Sequence, residues 1–141
     1  MEARIRWIEN AAFMAETGSG HATVVDGPES IGGRNLGPRP MELMLMSVGS
    51  CSAVDIVQIL KKAWQPVVGC EVKVSGTRAE TEPKVFTAIH LHFIVSGDGL
   101  SEHQVKRAVQ LSAEKYCSAS IMLGQAAIIT HDYELVDGAA G

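Results

Sequence analysis

Polar and apolar positions alternate through the first part of the chain. Arg4-Ile5-Arg6-Trp7-Ile8 opens with a period of two, Ala12-Phe13-Met14-Ala15 follows after a turn, and His21-Ala22-Thr23-Val24-Val25-Asp26 comes after Gly18-Ser19-Gly20. That pattern predicts strands joined by short turns. It stops in the Gly- and Pro-rich stretch Gly27–Pro40, which predicts a long loop of the kind that often carries function in a small domain. Pro40 suits the first turn of a helix, and from there a helical pattern runs to about Trp64. At about 1.5 Å per residue this helix is roughly 37 Å long, the full width of a domain this size. Its apolar residues, among them Met41, Leu43, Met44, Leu45, Met46, Val48, Val54, Ile56 and Leu60, cover most of its circumference. Lys61 and Lys62 sit favourably for the helix dipole, and Pro66 and Gly69 end the element.

The second half predicts strands at Cys70–Arg78 and Lys84–Ser96, joined by the turn Glu80-Thr81-Glu82-Pro83. Ser101 reads as the N-cap of a second helix reaching about Tyr116. Cys117–Leu123 predicts a short helix ended by Gly124, and Ala127–Val136 a last strand. The order β-β-β-α-β-β-α-(short α)-β is that of an α+β domain. No repeat or linker divides the chain, so residues 1–141 are expected to form a single domain.

A helix apolar nearly all round must be covered nearly all round. One small domain has too few strands to surround it, and this predicts a partner subunit that packs at the small residues Ser47, Gly49, Ser50 and Ser52. The most apolar run, Leu43–Val54, is closed off by Glu42 and Asp55 and falls short of the ~20 residues of a membrane span, so it is expected to be a buried core helix.

Composition narrows the function classes. Hydrophobic residues make up 46% and charged residues 20%, which excludes wholesale disorder. The net charge is −4 and no run of Lys or Arg occurs, so nucleic-acid binding is not expected. Neither a secretory signal nor a membrane anchor is expected, and the compartment predicted is the cytoplasm. Six methionines against 5% aromatics point to an aliphatic, sulfur-lined pocket if there is an apolar one.

The three cysteines, Cys51, Cys70 and Cys117, form no C-x-x-C pair and no disulfide framework. Cys51 lies mid-helix among small residues, where an inert buried thiol is the bland alternative to a reactive one. It is too far from the helix start to gain from the dipole, so activation requires a cation from another segment, Arg34 or Arg39. Cys117 lies where one helix ends and a shorter one begins, where backbone N–H groups can stabilise a thiolate; a packing role is the equal alternative. Cys70, at a strand start, reads as structural. His90 and His92 share the more polar face of their strand without ligand partners at metal spacing, so no metal and no cofactor is expected. The glycines Gly32, Gly33 and Gly37 match neither the P-loop nor the dinucleotide-binding spacing.

The stretch Gly37-Pro38-Arg39-Pro40-Met41-Glu42-Leu43 through Gly49-Ser50-Cys51-Ser52-Ala53-Val54-Asp55-Ile56-Val57, together with Lys115-Tyr116-Cys117-Ser118-Ala119-Ser120, resembles the OsmC/Ohr superfamily of osmotically inducible and organic hydroperoxide resistance proteins. In its details it is most like the YhfA-like branch. The resemblance implies an intertwined homodimer in which curved antiparallel sheets wrap around long central helices. It implies a thiol peroxidase for organic hydroperoxides, with Cys51 peroxidatic and Cys117 resolving, reduced afterwards by a dithiol such as a lipoyl group. Arg39 and Glu42 would assist Cys51, and Met41, Met44, Met46 and Met122 would line the substrate approach. One departure favours an alternative, a non-enzymatic dimer that binds a small ligand or senses redox state. In the characterised branches a glutamate directly follows the helix-opening proline and orients an arginine. Here Met41 holds that place and Glu42 the next, a rotation of ~100° around the helix.

Overall fold

The alternating and helical segments fold into the expected order of elements. A computed structural model describes residues 1–138, and packing divides the chain into two units, Met1–Met44 and Leu45–Gly141. In the first unit, β1 (Ala3–Glu9), β2 (Ala12–Thr17) and β3 (Ala22–Val25) form an antiparallel sheet in sequence order, with Ile5 opposite Ala15 and Phe13 opposite Val25. β1 is exposed along its whole length, Ile5 and Trp7 included.

Asp26, counted by its alternation as a strand residue, instead ties down the long loop. Its buried carboxylate accepts the backbone N–H groups of Gly27 at 2.8 Å, Arg34 at 2.9 Å and Leu36 at 3.1 Å. The Arg34 and Leu36 N–H groups hold its pKa below the usual carboxylate value. A side chain at Gly37 would strike the Val24 carbonyl, so the loop needs glycine there.

Helix α1 spans Pro40–Lys62, and its first turn, Pro40–Met44, falls in the first unit. It stops short of Trp64 because Trp64 takes a left-handed conformation, φ 55°. The Gln65 N–H reaches back to the Leu60 carbonyl at 2.9 Å and the Trp64 N–H to the Lys61 carbonyl at 3.0 Å. This is the Schellman cap, with Trp64 where glycine is usual.

The second unit continues with β4 (Gly69–Arg78), β5 (Phe86–Ser96), α2 (Glu102–Leu111), α3 (Ser118–Leu123) and β6 (Ile128–Val136). The sheet order is β4-β5-β6. β4 and β5 are antiparallel, but β6 runs parallel to β5, so this sheet is mixed rather than antiparallel throughout. The helical segment between β5 and β6 is the crossover that a parallel pair requires. Alternation along β5 buries Ile89, Leu91, Phe93 and Val95 and leaves His90 and His92 on the outer face, as the strand pattern predicts. Val105, Ala108 and Val109 of α2 and Val48, Ile56 and Leu60 of α1 are buried as well. A Cβ at Gly49 would come within 2.7 Å of Val74, so glycine permits the close approach of α1 to β4.

The expected burial of α1 is not met within one chain. Only 28% of its most apolar 18-residue window is buried, and Met46 and Val54 stand 58% and 62% exposed. By length and composition alone, Pro40–Lys62 is long and apolar enough to cross a membrane; Asp55 does not interrupt the window as the shorter run Leu43–Val54 implied.

Candidate active site

Three elements of the second unit bring the chemistry together. Cys51, Ser52 and Asp55 lie on α1, Cys51 and Asp55 one turn apart and therefore on one face. The continuation of α2 does not stay α-helical to Tyr116. It changes at Ser112–Tyr116 to a π-helical turn, closed by the Cys117 N–H on the Ser112 carbonyl at 2.8 Å. Such turns are frequent at functional sites. Cys117 then becomes the N-cap of α3, its sulfur accepting the Ser120 N–H at 3.4 Å.

The Cys51 and Cys117 sulfurs and an Asp55 carboxylate oxygen all lie within 4.8 Å of one another. Both thiols are free; Cys117 is buried and Cys51 partly exposed. The Ser52 hydroxyl donates to the Cys117 sulfur at 3.1 Å and sits 3.3 Å from the Ser120 hydroxyl. The Ser112 hydroxyl lies 3.4 Å from both the Ser52 carbonyl and Asp55 Oδ2.

The two thiols titrate as a pair and in opposite directions. Burial opposes ionisation of Cys117, but the hydroxyls of Ser120 and Ser52, the Ser120 N–H and the Cys51 thiol outweigh it and hold its pKa below the ordinary thiol value. Burial pushes Cys51 up. The Ala119 N–H works against that, while the Cys117 sulfur and the Asp55 carboxylate add to it. The surroundings therefore favour ionisation of the buried sulfur over that of the accessible one. Cys70 is also raised, by burial alone.

The other candidates make contacts of their own. Glu42 caps α1: its carboxylate accepts the Arg39 backbone N–H at 2.8 Å, the glutamate half of a capping box. The Arg34 guanidinium pairs with Glu9. Met46 lines a groove of about 460 Å³ between α1 and β4 with Leu45, Gly49, Ala53, Cys70 and Val74. Met44 and Met122 are exposed and Met41 is half-buried. His92 Nδ1 bonds Asp132 at 2.6 Å on the outer sheet face, and that carboxylate raises its pKa.

Ser52, Ser112, Ser120 and Asp55 are site residues that the sequence pattern did not single out as a group. The Ser-rich flanks of both cysteines were the one visible signal.

A family model described as OsmC-like protein matches residues 32–132. The chain belongs to the OsmC-like family. It is 50% identical to protein YhfA of Escherichia coli K12 over 96% of this chain and 98% of that protein. Among solved structures, it is similar to a hypothetical protein from Aquifex aeolicus, with 31% identity, a TM-score of 0.86 and coverage of 97% and 96% of the two chains. An organic hydroperoxide resistance protein from Legionella pneumophila shares the fold at 16% identity, with a TM-score of 0.71 and coverage of 95% and 97%. Membership accounts for the two three-stranded sheets and the order of elements.

Proposed function

We propose that this OsmC-like chain, acting as a single domain in a homodimer, is a cysteine-based thiol peroxidase that reduces organic hydroperoxides in the cytoplasm. The observation that carries this reading is the pairing of a partly exposed thiol, Cys51, with a buried and hydrogen-bonded one, Cys117, within 4.8 Å. Its family includes proteins named for organic hydroperoxide resistance, and three free cysteines suit a reducing compartment.

Accessibility supports Cys51 as the peroxidatic cysteine and Cys117 as the resolving one. A peroxide reaches Cys51, whose thiol ionises by losing its proton to solvent. The Cys51 thiolate attacks the terminal peroxide oxygen, the O–O bond breaks, and the alkoxide leaves as the alcohol after taking up a proton. Cys51 is then a sulfenic acid. Cys117, ionised among Ser52 and Ser120, attacks the Cys51 sulfur, forming the disulfide and expelling hydroxide, which takes up a proton from solvent as water. A dithiol, lipoyl-type by the same chemistry, restores both thiols by exchange. Arg39 is the proposed activating cation, since the Arg34 guanidinium is already paired with Glu9. Glu42 fixes the Arg39 backbone through the cap, and the exposed Met44, Met46 and Met122, with Met41, supply the apolar approach.

The homodimer rests on exposed apolar surface: Met46 and Val54 on α1, Ile5 and Trp7 on β1, and the groove beside β4. The alternative, a ligand-binding or redox-sensing dimer, is favoured by Met41 at the position directly after Pro40, with Glu42 one residue further on. Turnover separates the two. With tert-butyl hydroperoxide and dihydrolipoamide, the wild type and Cys70→Ser should turn over repeatedly. Cys51→Ser should be inactive, and Cys117→Ser should stop after one round with a trappable sulfenic acid. Multiple turnover by Cys51→Ser contradicts the peroxidase reading.

A further inference from the structure

We infer that the reduced Cys51–Asp55–Cys117 cluster is a binding site for a thiophilic divalent cation, Zn²⁺ by its donor chemistry. Sequence spacing does not show this set, because two donors are one helical turn apart and the third comes from a distant segment. The structure brings the two sulfurs and a carboxylate oxygen within 4.8 Å of one another. Around a tetrahedral zinc ion, with Zn–S near ~2.3 Å and Zn–O near ~2.1 Å, donors lie only a little closer together than that. The three donors therefore reach an ion with side-chain adjustment alone.

The donor set is selective. Two thiolates favour soft or borderline cations over Mg²⁺ or Ca²⁺, which take oxygen ligands. Three protein ligands leave the fourth position open for water or an exogenous ligand. The surroundings support the donors as metal ligands usually are supported: Ser52 and Ser120 hydrogen-bond the Cys117 sulfur, and Ser112 meets the Asp55 carboxylate. Cys51, itself partly exposed, keeps the cluster open to solvent. A bound cation ties up both sulfurs, so occupancy withholds the pair from alkylation and oxidation. This inference stands on the donor geometry and does not rest on the peroxidase reading.

Co²⁺ and Zn²⁺, added to the fully reduced full-length protein, test it. Co²⁺ should bind one per chain with thiolate-to-cobalt charge-transfer absorption, and Zn²⁺ should displace it. The band should vanish in Cys51→Ser, in Cys117→Ser, and in wild-type protein alkylated at Cys51, which controls for misfolded variants. Cys70→Ser should keep it. Asp55→Asn should keep the thiolate band while binding weakens by at least roughly a hundredfold, more than the loss of an outer-shell partner costs, because a direct donor is removed. No charge-transfer band in the reduced wild type overturns the site. So does a band that survives loss of Cys51 or Cys117, or one that needs Cys70. Unchanged affinity in Asp55→Asn removes the carboxylate and overturns the three-donor assignment.

Discussion

Helix α1 has a cysteine beside it on two sides, and the two sides are chemically opposite. On one, Cys117 sits among the hydroxyls of Ser52 and Ser120 and the N–H of Ser120, and its thiol is drawn toward ionisation. On the other, Cys70 lines the groove with Gly49, Ala53, Val72 and Val74, and burial alone pushes its thiol up. Cys117 is the more buried of the two by solvent exposure, yet it is the one favoured as a thiolate. Donors outweigh desolvation when several converge on one sulfur, and desolvation rules where none does.

Removing a donor should carry Cys117 toward the behaviour of Cys70. Ser52→Ala takes away the 3.1 Å hydroxyl bond. A hydrogen bond to a charged group favours the ionised form. The lowered pKa of Cys117 should therefore rise, so that its alkylation half-point moves to higher pH while that of Cys70 stays put. Mass-spectrometric alkylation profiles against pH read both thiols in one sample. A Cys117 profile that does not move would show that Ser52 does not stabilise the thiolate.

The apolar side should respond to volume rather than to pH. Gly49→Ala places a methyl group within 2.7 Å of Val74, and the overpacking should cost about 1–3 kcal/mol. Thermal unfolding should shift down accordingly, with the alkylation profile of Cys117 unchanged. Equal stability would mean that the helix and β4 are free to part at that point.

The two sides also differ in how far sequence revealed them. The apolar side follows in part from local pattern: the alternation of Val72 and Val74 is visible directly, as is the outward placement of His90 and His92, whereas Gly49, expected to pack against a partner subunit, meets Val74 of β4. The polar side was legible only through the spacing of Cys51 and Cys117 that resembles a known family. Ser52, Ser112, Ser120 and Asp55 meet through long-range hydrogen bonds between short side chains, and such bonds leave no periodicity. The π-helical turn that aims Cys117 is equally silent, since Ser112–Tyr116 reads as ordinary helix. The parallel return of β6 was hidden because alternation fixes a face and not a direction. Glu42 is different, because a glutamate at the third helical position is a known capping signal and could have been read from Arg39-Pro40-Met41-Glu42.

The most direct test of the whole account asks which thiols react together. Reduced protein is given one equivalent of an organic hydroperoxide, the remaining thiols are blocked, and the peptides are mapped by mass spectrometry. The account predicts a bridge between Cys51 and Cys117 as the main product, with Cys70 recovered as a free, blocked thiol. A main product that contains Cys70, or three thiols left untouched, would contradict it.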